Sequence, residues 1–310
     1  MHFIAYKTKI ALNAIELFGE IQHMSSQSFA VDSHVHVFVP EKYAYSEERA
    51  YTPGNADVPA LALHLECLGI DKVVLVQPSP YGIDNRAMLS AVAELGLARA
   101  RAIAVIDPFS ATAVDVQELA AKGVAGVRAN LKTNGVDDAD ACASYLRGLN
   151  RALSGTDMII EVFLSLPLLL RLRPVLVELG RTVVLDHFAG LKTTSPSLSD
   201  DIEGLVDLLG SPNLVLKASG ACRATGYASS TAALDLIAPR LMDAAPGRVI
   251  WGSDWPHTGR SSERKNRQVT EIEPFMPVDD QASLADLARW AGDPRRLDDI
   301  LRTTPAALFS

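Results

Sequence analysis

Val31-Asp32-Ser33-His34-Val35-His36-Val37 plants polar side chains at alternate positions of a β-branched run. Side chains of a strand alternate between its faces. The pattern therefore predicts Asp32, His34 and His36 on one face, and Val31, Ser33, Val35 and Val37 on the other. Two imidazoles then converge on one side of a strand whose other side can pack on helices. A half-buried sheet edge with solvated histidines has the same pattern, and the rest of the chain has to decide between the two.

Working outward, short β-branched runs recur near 30–38, 72–77, 101–106, 124–130, 158–164, 182–187, 213–219 and 248–253, each ending in polar or glycine-rich residues. Between them, 57–68, 85–95, 111–122, 139–153, 167–179, 198–209 and 231–243 carry helical spacing, with more helix after 280. Strict alternation of helices with runs apolar enough to be buried on both faces predicts a parallel sheet. Eight such units predict an α/β fold, a single-domain (β/α)8 TIM barrel. An open doubly wound sheet is the alternative, but no G-x-G-x-x-G follows the first strand and the chain has no P-loop.

A barrel makes the carboxyl ends of its strands the active face. Polar residues collect there: His34 and His36, Gln77 and Ser79, Arg128 and Asn130, Asp186 and His187, Lys217, Ser219 and Arg223, then Ser253, Asp254 and His257. His34, His36, His187 and Asp254 come from three distant pieces of sequence that a closed barrel brings to one mouth. Neutral imidazoles with one carboxylate suit a single Zn²⁺. Without a metal, the histidines can polarise a carbonyl while the aspartate acts as general base.

The formal charge of −8 over 310 residues argues against a nucleic-acid or anionic-membrane surface, while allowing an anionic small molecule held by a few arginines. Cys67, Cys142 and Cys222 are odd in number and fit no ligand spacing, which points to a reducing, cytoplasmic setting. The most apolar window, 158–180, is interrupted by Glu161, Pro167, Arg171 and Arg173 and cannot span a bilayer. Monomer and homo-oligomer both fit. Residues 1–23 place Lys7 and Lys9 ahead of an apolar run broken by Asn13 and Glu16, so they read as an extension outside the fold, with 24–310 as the barrel domain.

Val31-Asp-Ser-His-Val-His36, Val184-Leu-Asp-His187-Phe-Ala-Gly190 and Trp251-Gly-Ser-Asp254-Trp-Pro-His257 resemble signature segments of the amidohydrolase superfamily. The likeness is to the amidohydrolase-related branch that includes 2-pyrone-4,6-dicarboxylate hydrolase and other lactonases. It runs from about Ala30 to Leu308 and takes in Gln77-Pro-Ser79, Gly126-Val-Arg128-Ala-Asn130, Lys217-Ala-Ser-Gly220 and Thr304-Pro-Ala-Ala-Leu-Phe309. The resemblance implies hydrolysis of a lactone by water, with Asp254 as base and His34, His36 and His187 around the carbonyl. It also implies Arg128, Arg223, Tyr51, Ser79 and His257 as substrate contacts. Arg128 and Glu161-Val-Phe163 supply no match to the bridging lysine or glutamate and the fifth-strand histidine of binuclear members. One Zn²⁺ on His34, His36, His187 and Asp254, or no metal, is the expectation. Gly190 and Asn134 stand where dicarboxylate-specific relatives carry arginines, which implies a substrate with fewer negative charges unless Lys132 and Lys192 compensate. A Zn-dependent non-oxidative decarboxylase, built on related barrels with the same His-x-His opening, is the alternative function, and a binding protein without turnover is a third.

Overall fold

The computed structural model describes residues 29–310 apart from 134, 229, 260–263, 265 and 266. The expected extension 1–23, and Asn134, lie outside the described residues.

Eight parallel strands form one sheet in chain order: β1 (Val31–Val35), β2 (Lys72–Val76), β3 (Ala100–Ala104), β4 (Val124–Asn130), β5 (Ile159–Phe163), β6 (Val183–Leu185), β7 (Leu214–Ser219) and β8 (Val249–Gly252). The sheet curls until its first and last members meet. Asp254 N donates to His34 O at 2.9 Å and His36 N donates to Trp255 O at 2.8 Å. With helices between successive strands, this is the expected (β/α)8 barrel.

Alternate residues of each strand face inward. Val31, Val74, Val76, Ile103, Ile159, Val184, Val215 and Ile250 make an apolar layer at the lower end, closed by Phe309. Their neighbours Val73, Leu75, Val127, Ile160, Val162, Leu185 and Leu216 face the helices and build the larger core.

Two expectations are corrected. In β1, Asp32 pairs with Val73 and Val35 with Leu75, so one extra residue is accommodated between them as a bulge. The strand therefore does not alternate cleanly. Val31 joins the inner layer while Val35 and Val37 join the outer core, and the Asp32 side chain leaves the face of the His34 imidazole, its Oδ2 facing His64 of the helix Val58–Leu68. The helix expected over 167–179 is two short helices, Leu166–Arg171 and Arg173–Glu178. Pro174 has no N–H for a continuous helix and suits the first turn of a new one.

Candidate active site

Closing the barrel between β1 and β8 sets Asp254 against both histidines of the first strand. Asp32 reinforces the seam: its Oδ1 accepts from His34 N at 3.1 Å and from Ser253 N at 2.9 Å. Asp254 itself sits at φ 70°, a left-handed conformation that re-aims its carboxylate over the mouth. Its Oδ1 lies 3.7 Å from His34 Nε2, 3.7 Å from His36 Nε2 and 4.0 Å from His187 Nε2. All four residues are buried.

His187 arrives by a different device. After β6 the chain passes through three consecutive non-glycine residues at positive φ: His187 (52°), Phe188 (51°) and Ala189 (54°). Left-handed residues normally occur singly and cost about 1–3 kcal/mol each. A Cβ on the following Gly190 would stand 2.5 Å from Leu164 O. This strained turn swings the imidazole of His187 to within 4.8 Å of that of His34, centroid to centroid, with Nδ1 2.9 Å from Ser219 Oγ.

Beneath His34 lies a layer of buried charge. Arg128, Glu161, Asp186 and Lys217 project inward one step above the apolar layer, and all are nearly inaccessible. Arg128 donates from Nε and Nη2 to Asp186 Oδ2 at 3.1 and 2.8 Å. Lys217 Nζ hydrogen-bonds Glu161 Oε2 and His34 Nδ1, the latter at 3.0 Å, and pairs with Asp186 Oδ1 at 3.1 Å. The two carboxyls respond differently. Burial and the neighbouring Asp186 push Glu161 up to about 7. Burial would also raise Asp186, but Lys217 and Arg128 hold it well below the usual range.

The same balance sets the upper groups. Burial, then the Lys217 ammonium, keep His34 well below its ordinary value, and burial brings His187 down to about 3, so both imidazoles are neutral. Burial would raise Asp254, yet the Arg223 guanidinium beside it overturns that and holds it well below the usual carboxylate range.

The structure thus brings His34, His36, His187 and Asp254 together, with Arg223 beside them donating from Nε to Asp254 Oδ2 at 2.7 Å. Arg128 is turned onto Asp186 with its side chain 3% exposed. Tyr51 lies under the Arg264 guanidinium, 3.7 Å from ring centroid to Cζ. Ser79 opens the short turn Ser79–Tyr81, and His257 Nε2 pairs with Asp280 Oδ2 at 2.8 Å. Among the described residues, the side chains of Tyr51, Ser79 and His257 make no hydrogen bond to the central four. Glu161 and His64 went unassigned in the sequence, and Asp186 and Lys217 read there only as polar strand ends. For Glu161, Asp186 and Lys217 the signal is parity, since each lies two residues after an inward valine or isoleucine.

A cationic rim completes the mouth. Lys132 Nζ stands 5.0 Å from the centre of the Phe163 ring, which meets His187 edge-on at 4.9 Å, and a Cβ on Gly190 would reach within 3.6 Å of that ammonium. Lys192 Nζ donates to Arg223 O at 2.5 Å. Burial, then repulsion from Lys192 and Arg223, bring Lys132 down to about 8.

Two groups, His34–His36–Asp254 and His34–Asp186–His187, keep one ligand atom each within 4.8 Å of the others and can be tested against a metal ion. Ligands about 2.0–2.1 Å from a tetrahedral ion stand about 3.3–3.4 Å apart, so the spacing around Asp254 is close to suitable. A ligating histidine needs an acceptor for its second N–H. His36 has one, with Nδ1 2.7 Å from Val76 O. His34 has none as close: its Nδ1 faces, at 3.0 Å, an ammonium that can only donate, and the carboxylate oxygens of Glu161 and Asp186 stand at 3.5 Å. The group around Asp254 therefore lacks a close acceptor behind one of its ligands, and in the other group the Lys217 ammonium already pairs with Asp186 Oδ1 at 3.1 Å.

The amidohydrolase family model matches residues 31–310. The chain is similar to 4-sulfomuconolactone hydrolase of Hydrogenophaga intermedia, 34% identical over 74% of this chain and 75% of that one. It is also similar to the enzyme of the same name from Rhizobium radiobacter, 30% identical over 91% of this chain and 92% of that one. Among solved structures it resembles a putative 2-pyrone-4,6-dicarboxylic acid hydrolase from Pseudomonas putida, with TM-score 0.74 and 27% identity over 91% of this chain and 97% of that chain. With its barrel closed so that the strand-one histidines meet Asp254, the chain belongs to the amidohydrolase family.

Proposed function

We propose that the protein hydrolyses a lactone carrying an anionic substituent. Support comes first from one observation: three imidazole Nε2 atoms ring a single oxygen of the ionised Asp254. Water bonds to the ring carbonyl carbon as Asp254 takes its proton, and the carbonyl π pair moves onto oxygen, where imidazole N–H groups receive it. The ring C–O bond then breaks, and the leaving oxygen takes the proton from Asp254. A carboxylate held as low as Asp254 is a weak base in the resting site. Proton removal is therefore concerted with attack, when the water oxygen becomes more acidic. No step is assigned to a metal.

The substrate's anionic group lies on the rim of Lys132 and Lys192. Lys132 fills room left by Gly190, a position where dicarboxylate-specific relatives would carry an arginine. Arg223 positions Asp254, and Arg128 serves from below, since its Nε and Nη2 are bound to Asp186. The relatives named above act on lactones bearing sulfonate or carboxylate groups according to their names, in keeping with such a rim. The three cysteines are free, which is in keeping with the reducing setting of a cytoplasmic enzyme; among the described residues, no helix is long and apolar enough to cross a membrane.

A panel of lactones with carboxylate, sulfonate and neutral substituents, followed by proton release and combined with metal analysis of the purified protein, tests this. Turnover confined to anionic lactones is expected. Carbon dioxide release from an unsaturated acid without lactone turnover would replace the reading with a decarboxylase.

A further inference from the structure

We infer that Lys217 and Val76 O fix His34 and His36 respectively as opposite tautomers, so that the His-x-His pair offers the reaction one N–H donor and one lone pair. The inference rests on the lactonase reading for its chemical meaning, but its geometry stands apart from it.

A lysine ammonium has three hydrogens and no lone pair. Lys217 Nζ is surrounded by three acceptors: Glu161 Oε2, Asp186 Oδ1 at 3.1 Å and His34 Nδ1 at 3.0 Å. The side chain is fully buried, so no solvent competes for these positions. If His34 carried its proton on Nδ1, two donors would face each other at 3.0 Å in a low-dielectric interior. The alternative acceptors for such a proton, Glu161 Oε1 and Asp186 Oδ1, are both at 3.5 Å, at the edge of hydrogen-bonding distance. The nearer group decides. His34 accepts at Nδ1, and its single proton sits on Nε2, which is buried and has no partner. That N–H points toward the mouth, where a carbonyl oxygen would satisfy it.

His36 is bound the other way. Its Nδ1 lies 2.7 Å from Val76 O, and a carbonyl can only accept, so Nδ1 carries the proton and Nε2 presents a lone pair. That lone pair stands 3.7 Å from Asp254 Oδ1, too far for a direct bond, with two acceptors facing each other. A water molecule donating one hydrogen to each would relieve the opposition. The division of labour follows. His34 Nε2–H holds the carbonyl oxygen as the π pair arrives, while His36 Nε2 and Asp254 hold the attacking water, Asp254 taking the proton as the new C–O bond forms. Lys217 touches neither substrate nor water. It is a positioning residue acting through His34.

The test is nitrogen NMR of the full-length protein labelled with ¹⁵N-histidine, the seven histidines being assigned with the variants His34→Asn and His36→Asn. Protonated and unprotonated ring nitrogens resonate in well-separated ranges. His34 is expected to show unprotonated Nδ1 and protonated Nε2, and His36 the reverse. Lys217→Met should switch His34 to protonated Nδ1 and lower kcat by about 10²–10³, the loss of one oxyanion donor, with KM changed less than threefold. Protonated Nδ1 at His34 in the wild type overturns the inference, as does a Lys217→Met spectrum unchanged from wild type. Should Lys217→Met not fold, the wild-type spectrum decides alone. Opposite tautomers in a protein that turns over no lactone would uphold the inference and defeat only the lactonase reading.

Discussion

Gly252 is where the seam of the barrel has no room to spare. A Cβ built there would stand 2.5 Å from His34 Cβ, 2.7 Å from His34 N and 3.1 Å from its Cα. Ordinary contact begins at 3.4 Å, so Gly252→Ala has to open the β8–β1 approach by about 0.9 Å. Gly252 is not among the glycines at positive φ, which makes the cost steric. Neither side yields easily, because backbone bonds from Asp254 N to His34 O and from His36 N to Trp255 O lock the strands together. Opening them shifts His34 relative to Asp254. A misplacement of about 1 Å in reacting geometry costs about 10²-fold in rate, and overpacking a filled site costs about 1–3 kcal/mol of stability. The assay is kcat/KM on the best lactone of the panel together with thermal unfolding. Gly54→Ala serves as control, since its added Cβ would meet nothing nearer than 3.7 Å. A folded Gly252→Ala enzyme within threefold of wild type would refute the claim that this seam sets the catalytic geometry.

Asp254→Asn keeps the shape but not the base, and kcat should fall by about 10²–10⁴ with the unfolding temperature little changed; near-normal turnover would remove Asp254 from the mechanism. Lys132 is cationic below about 8, so KM for an anionic lactone should rise as pH passes that value, and Lys132→Met should show a high KM with no such inflection. Glu161 is raised to about 7, so its protonation stabilises the fold below the ordinary glutamate range, and that contribution is lost as pH climbs to about 7. Asp186 and Asp254 are depressed and act only at lower pH. Denaturant midpoints at pH 5 and 7.5 should therefore fall less across the interval in Glu161→Gln than in wild type, and parallel slopes would argue against a raised Glu161.

Much of this was legible in the residues because it depends on patterns that local sequence carries. Eight apolar runs alternating with helical spacing gave the barrel, and the polar strand ends gave His34, His36, His187 and Asp254. What escaped depends on neighbours across the sheet. The bulge that takes the Asp32 side chain off the face of the His34 imidazole is a mismatch between β1 and β2, visible only once Asp32 is paired with Val73 and Val35 with Leu75. The turn at His187 was hidden because nothing in Phe188 or Ala189 advertises positive φ. Arg128 entered as a substrate contact through the family resemblance alone; its partner Asp186, 58 residues away, comes into reach only when β4 and β6 stand on either side of β5.

Lys217, Glu161, Asp186 and Arg128 occupy a level that apolar branched side chains usually fill in such barrels. Replacing a buried ion network by hydrocarbon is often neutral or stabilising, so stability alone gives little reason for four charges there. Their arrangement has a clearer consequence one level up. With Glu161 raised and Asp186 depressed, the layer tends toward excess positive charge just under His34. A neighbouring ammonium makes protonation of His34 harder and hydrogen bonding to its Nδ1 easier. Each effect leaves a neutral imidazole with its N–H directed into the mouth. The layer thus acts as a polarity setting for the first strand. Val76 O imposes the opposite setting on His36 from the neighbouring strand, so a two-histidine motif symmetric in sequence becomes asymmetric in the barrel.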